Sequence, residues 1–416
     1  MRLHRNLVLA VIDALDQIFN HQKQADKVVA ITLKQDKRWG ARDRNFVAET
    51  IYELVRWQRL YAKIADVENK FEVQSYSTQN LFQLFAIWAI LNEIELPKWE
   101  EFEGTNYDID TIKQQFNELQ SSRKYRESIP NWLDELGEKE LGNETWTKEI
   151  AALNKQAPVV LRVNTLKTNL KTLQSQLLEQ NIETEKIEDY PEALQLEKRK
   201  SIVRNKLYKD GFFEIQDASS QLIGHFLEVK EGMQIIDTCA GAGGKSLHIA
   251  ALMKNKGQIV SMDIFENKLT ELRRRANRAN VHNIKTFPIK RKERDIDYNQ
   301  FKKFHNSADR VLIDAPCSGL GVLSRNPDTK WKLTSSFLEE IKQTQQTILQ
   351  EYAQMTKKGG KLVYATCSIL PSENQIQVEM FLKSKVGQGF EFIGDKKILS
   401  HQTGYDGFYM ALLRKK

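Results

Sequence analysis

Only three cysteines occur in the 416 residues. That is too few for a disulfide framework and predicts a reducing, cytoplasmic setting. Long hydrophobic runs are missing too. Leu7-Val8-Leu9-Ala10-Val11-Ile12 follows basic residues, but Asp13 and Asp16 cut it short and no small-residue cleavage site follows. It reads as a helix face rather than a signal segment. No other apolar stretch approaches the roughly 20 residues of a membrane span, so no membrane partner is expected. Internal repeats and low-complexity tracts are absent. No Cys-x-x-Cys or histidine cluster accompanies the cysteines, so no metal site is predicted.

What is present is enough chain for two or three domains with a sizeable core. The formal net charge is +7. A lysine excess on a solvated surface would explain that as well as a polyanionic partner would, but the cations are clustered. Lys198, Arg199, Lys200, Arg204, Lys206 and Lys209 crowd one segment; Arg273, Arg274, Arg275 and Arg278 crowd a second; Lys290, Arg291, Lys292 and Arg294 crowd a third. Such segments can neutralise phosphates and release counterions, which points to a polyanionic partner.

Residues 1–126 read as helical. Leu7, Val11, Ala14, Leu15 and Ile18 keep a helical period, as do Val47, Ile51, Leu54 and Val55, and again Leu81, Phe82, Phe85, Ala86 and Ala89. Trp88 and Trp99 read as core fillers, and 100–110 as an acidic surface loop. Residues 127–218 read as a helical connector followed by a small α/β module, with strands at Val159–Val163 and Gly211–Ile215 around a helix from Asn169 to Gln180. Over 219–416 strands and helices alternate. Strands are predicted at 234–239, 258–264, 284–289, 310–315 and 361–368, with helices at 245–254, 266–280, 335–356 and 372–384. Alternation of this kind specifies a doubly wound, mostly parallel α/β sheet with ligands at the strands' C-terminal edge. Gly404–Leu413 reads as an added edge strand.

The first of these strands runs into Cys239-Ala240-Gly241-Ala242-Gly243-Gly244-Lys245, a glycine turn opening a helix. Glycines let the backbone turn sharply and approach a ligand. Gly244-Lys245-Ser246 ends like a phosphate-binding P-loop, but that motif requires a glycine where Cys239 stands. Asp263 closes the next strand, about 22 residues beyond Gly241, where a carboxylate can accept ribose hydroxyls. The spacing fits a dinucleotide or S-adenosylmethionine and does not choose between them.

The other two cysteines end apolar strands, in Asp314-Ala315-Pro316-Cys317 and Ala365-Thr366-Cys367-Ser368. A single cysteine is usually buried and inert. Two at matching strand ends, with Asp314 nearby, read instead as paired thiols on the edge that carries the glycine loop. Such a set suits a pyrimidine, whose C5 is a poor nucleophile until a thiolate adds at C6. The adduct must later lose its C5 proton and expel the thiol, a step that benefits from a second proton-handling group.

At these residues the chain resembles the Sun/Fmu family of S-adenosylmethionine-dependent RNA cytosine-C5 methyltransferases. The matching motifs are 239–245, Asp314 to Leu323 with the following Arg325 to Trp331, and Thr366 to Asn374. The likeness extends upstream through Gly211–Ser220 and Ala157–Thr165. It implies a Rossmann-like catalytic domain at 219–416, a ferredoxin- or RRM-like module within 127–218 and a NusB-like RNA-binding domain at 1–126. It implies Cys367 as nucleophile, Cys317 in proton removal and product release, Asp314 at the base edge, and Lys245 beside cytosine and cofactor. Residues Cys239 to Lys245, Asp263 and Asp314 would bind S-adenosylmethionine. Ribosomal RNA is the implied substrate; transfer RNA, or a weakly catalytic assembly role on RNA, are the alternatives. Two departures stand out. Ala242 replaces the family's usual proline, and Phe287-Pro288-Ile289-Lys290-Arg291-Lys292 lacks the usual acid near adenine, which implies backbone or apolar contacts there.

Overall fold

A computed structural model describes residues 3–68, 75–103, 108–292 and 295–416; Arg294 and residues 104–107 of the acidic stretch lie outside them. The chain divides into two compact units, 1–155 with 323–334, and 156–322 with 335–416. Among the described residues no helix is long and apolar enough to cross a membrane.

The first unit is helical. Arg5–Phe19 buries the expected stripe of Leu7, Val11, Ala14, Leu15 and Ile18. Thr78–Leu91 is apolar almost all round, so it lies inside the core, with Leu81, Phe82 and every residue from Leu84 to Ile90 buried. Its first turn is closed by Ser77, whose hydroxyl accepts the Asn80 N–H at 3.1 Å. Trp88 is buried, as expected. Segment 323–334 interrupts the other unit's strand alternation and is anchored here. Trp331 Nε1 donates to the Val55 carbonyl at 2.6 Å, and Asp328 accepts the Ala25 N–H at 3.0 Å. Lys330 is fully buried and donates to Asn154 Oδ1 at 3.1 Å.

The second unit holds two sheets. The smaller runs β1 (Val160–Val163), a helix Leu170–Leu178, β2 (Thr184–Lys186), β3 (Ala193–Leu196), a short helix Lys206–Lys209 and β4 (Phe213–Ile215). Its spatial order is β2-β3-β1-β4, all antiparallel. This is the strand–helix–strand pattern, repeated, of ferredoxin-like modules.

The larger sheet is built from β5 (Gln234–Asp237), β6 (Gln258–Asp263), β7 (Ile284–Pro288), β10 (Ala308–Asp314), β11 (Thr356–Thr366), β12 (Phe390–Ile398) and β13 (Phe408–Lys415). Two short strands, β8 (Arg291–Lys292) and β9 (Asp295–Ile296), form a separate ribbon. The order β12-β13-β11-β10-β5-β6-β7 is parallel from β11 to β7. Both faces are covered, which is why these strands read as continuous apolar runs. Ile235, Leu312 and Val363 point into one core, while Ile236, Val311, Ile313 and Leu362 point into the other. Strand order reverses between β5 and β10, and a crevice at such a switch point is where doubly wound sheets bind ligands.

One expectation needs correction. The C-terminal strand is not an edge: β13 is hydrogen-bonded between β11 and β12, antiparallel to both, and β12 takes the rim. β12 escapes a sequence reading because Glu391, Asp395, Lys396 and Lys397 leave its middle exposed and without apolar alternation.

Candidate active site

The glycine turn folds as its composition requires. Gly243 has φ +84°, and a Cβ there would lie 2.4 Å from Leu272 Cγ. Gly241, with φ +55°, donates its N–H to Asp263 Oδ2 at 2.8 Å. Asp263 Oδ1 accepts the Phe265 N–H, also at 2.8 Å, so this carboxylate ties the turn to the start of the next helix. Ala240 N–H donates to the Met262 carbonyl at 2.8 Å. The Ala242 carbonyl accepts from Arg275 at 2.9 Å, and that bond braces the turn.

Beside the turn lies a cavity of about 540 Å³, the size class of small-molecule sites. Cys239, Gly241, Lys245, Asp263 and Asp314 line its polar side. Ile264, Ile289, Ile296 and Tyr352 line the apolar side, Ile289 directly after β7 and Ile296 from β9. Lys245 Nζ lies 2.6 Å from Asp314 Oδ2. Burial opposes the lysine's charge, but Asp314 outweighs it and holds the ammonium above its ordinary value. Cys239 is part of the wall: burial pushes its thiol up, and the neighbouring carboxylates add to this.

The cavity reaches Pro316, one residue short of the thiols. Cys317 and Cys367 meet there, Sγ to Sγ at 3.4 Å. The hydrogen bond to Cys367, together with burial, pushes the Cys317 thiol well above its usual value. The backbone of the two loops is joined by Gly321, whose N–H donates to the Cys367 carbonyl at 2.9 Å. A side chain at Gly321 would strike the Gly407 carbonyl at 2.1 Å.

Two residues escape sequence reasoning. Glu373 is fully buried and clasps both thiol loops. It accepts the Ser318 N–H at 2.8 Å, the Ser318 and Ser368 hydroxyls, and the Gln345 amide at 3.1 Å. It lies within the Thr366–Asn374 motif, where sequence reasoning assigned it no role. Asp237 ends β5 fully buried, accepting from Ser246 Oγ at 2.6 Å, and burial, with Asp314 adding to it, pushes its carboxyl up to about 7.

The basic segments divide. Lys198, Arg199, Lys200, Arg204, Lys206 and Lys209 are all exposed, as are Lys290, Arg291 and Lys292. Arg275 and Arg278 instead spend their charge on Glu214, at 2.9 and 2.5 Å.

Residues 224–414 match the family described as 16S rRNA methyltransferase RsmB/F, and residues 129–203 match the ferredoxin-like domain of the same proteins. A probable ribosomal RNA small subunit methyltransferase B from Synechocystis is 30% identical over 412 residues, covering 90% of this chain and 91% of that protein. The crystal structure of PH0851 superposes with a TM-score of 0.82 at 23% identity, covering 100% of both chains. NSun6 from Pyrococcus horikoshii, solved with SFG, gives 0.62 at 22%, covering 70% of this chain and 99% of that one. The two solved structures share the fold.

Proposed function

This chain belongs to the RsmB/F family of 16S rRNA methyltransferases, and from that membership we propose that it methylates C5 of a cytosine in small-subunit ribosomal RNA, with Cys367 as the attacking sulfur. The donor in this family is S-adenosylmethionine, and the residues present fit it. The cavity is large enough, the glycine turn leaves the backbone open to close approach, and Asp263 stands at the end of β6 where a ribose is recognised. With no acid among residues 287–292, the adenine would rest on Ile264, Ile289 and Ile296. When bound, the donor supplies an electrophilic methyl group on a sulfonium.

The side chains do the rest. Asp314, oriented by Lys245, holds the N3–N4 edge of the base. Cys367 Sγ bonds C6, which makes C5 enamine-like and able to accept the methyl group. The adduct must then lose the C5 proton and break the C6–S bond. A sulfur of high proton affinity suits both needs: Cys317 protonates the departing Cys367 and, as thiolate, is basic enough to take the C5 proton. The C5 proton ends on Cys317 and the former Cys317 proton on Cys367, which gives it up to solvent as its thiolate re-forms, so one proton leaves for each methyl transferred. The base has to be unstacked to reach these thiols, so a single-stranded or looped site is expected.

The observation that carries this reading is the 3.4 Å sulfur pair next in sequence to Pro316, which lines the cavity walled by the glycine turn. The test is methyl transfer to unmethylated small-subunit ribosomal RNA, read by bisulfite sequencing. A protected cytosine supports the reading. Methylation only of transfer RNA, or at a position other than cytosine C5, contradicts it.

A further inference from the structure

Away from the thiols, Glu192, His225 and His248 bring one donor atom each into a cluster within 4.8 Å. They come from three elements: the residue before β3, the last turn of helix Ala218–Phe226 and the middle of helix Gly244–Leu252. Glu192 Oε2 lies 2.7 Å from His225 Nε2 and 3.6 Å from His248 Nε2. A tetrahedral ion with bonds near 2.0–2.1 Å keeps its donors roughly 3.3 Å apart, and these two separations bracket that value.

A carboxylate–imidazole hydrogen bond accounts for His225 but not for His248. That side chain is only 2% exposed, and neither ring nitrogen makes a hydrogen bond. A buried imidazole whose Nε2 has Glu192 Oε2 only at 3.6 Å, beyond hydrogen-bond reach, recovers little of its lost hydration. The space around it is tightly fitted: a Cβ on Gly224 would come within 2.7 Å of His248 Nδ1. His225, with a side chain 36% exposed, opens the cluster to solvent on one side.

We propose that Glu192, His225 and His248 form a binding site for a divalent transition-metal ion of the zinc type, with water in the fourth position. Two imidazoles and one carboxylate are a donor set that zinc accepts. The Arg162 charge acts on His248 and opposes a cation, which would weaken the site. The ion would cross-link the small sheet to the helix that begins at Gly244 and carries Lys245, bracing the cofactor turn without taking part in the chemistry.

The test uses the full chain, stripped with chelator and titrated with zinc or cobalt(II). Because thiols are the competing ligands, it is run on the Cys317→Ser/Cys367→Ser protein as well. The site predicts one equivalent of zinc in both proteins, a raised Tm, and cobalt d–d bands without thiolate charge-transfer absorption. His225→Gln or Glu192→Gln should weaken binding by more than about tenfold, the effect already typical of losing an outer-shell partner. His225 is the most exposed ligand, so this variant is expected to fold, checked by circular dichroism without metal. No binding at micromolar metal, or binding that vanishes with the cysteines and ignores His225→Gln, overturns the proposal.

Discussion

Around Cys317 and Cys367 two loops share one buried carboxylate, whereas around Gly241 and Gly243 a single loop is held by backbone conformation and by separate bonds from several residues. Glu373 takes donors from Ser318, Ser368 and Gln345, and both thiol loops depend on it. The glycine turn spreads its support over Asp263, Met262 and Arg275, each making its own bond. The first arrangement is expected to fail as a unit, because removing its centre strands several buried donors at once. The second should fail in small steps.

The contrast is sharpest for Glu373→Ala. Losing an acceptor shared by several buried donors should cost about 3–5 kcal/mol, read by denaturant unfolding, and abolish methylation even in the folded fraction. A loss below about 1 kcal/mol would mean that the two loops hold themselves. Gly243→Ala comes next. Its positive φ and the approach to Leu272 should cost about 1–3 kcal/mol and weaken donor binding measured by calorimetry.

A pH experiment separates Asp237 from both. Its folded carboxyl lies at about 7 against an ordinary 3.8, so the folded state binds more protons than the unfolded between these values. The contribution is fully present below about 4 and is lost as pH rises through about 7. Asp237→Asn mimics the protonated form, so it should raise Tm relative to the parent at pH 8 and not at pH 4. The smallest effect is expected for Asp263→Asn. It keeps one acceptor oxygen for two N–H groups, and should weaken donor binding by about tenfold with little change in Tm.

The same contrast explains what could be read in advance. A backbone cradle announces itself, because Gly241 and Gly243 are demanded by the turn and stand together in the sequence. The strands β5, β6, β10 and β11 were legible because burial on both faces turns them into apolar runs. The thiol pair was legible as two cysteines at strand ends, although only folding brings sulfurs 50 residues apart to 3.4 Å. The clasp was not legible, although Glu373 stands in the Thr366–Asn374 motif, because it serves residues on other elements. The same holds for the anchorage of 323–334, where Trp331 and Val55 are 276 residues apart, and for Glu192, His225 and His248. Nor does a run of arginines reveal that Arg275 and Arg278 turn inward to Glu214.

The division of labour between the two sulfurs is tested most directly by trapping. Each single variant is incubated with donor and unmethylated small-subunit ribosomal RNA, and the product is run on a denaturing gel. Cys317→Ala should accumulate a covalent protein–RNA adduct that never resolves, while Cys367→Ala and the double variant should show none. An adduct on Cys367→Ala, or methylation surviving in it, would contradict the account.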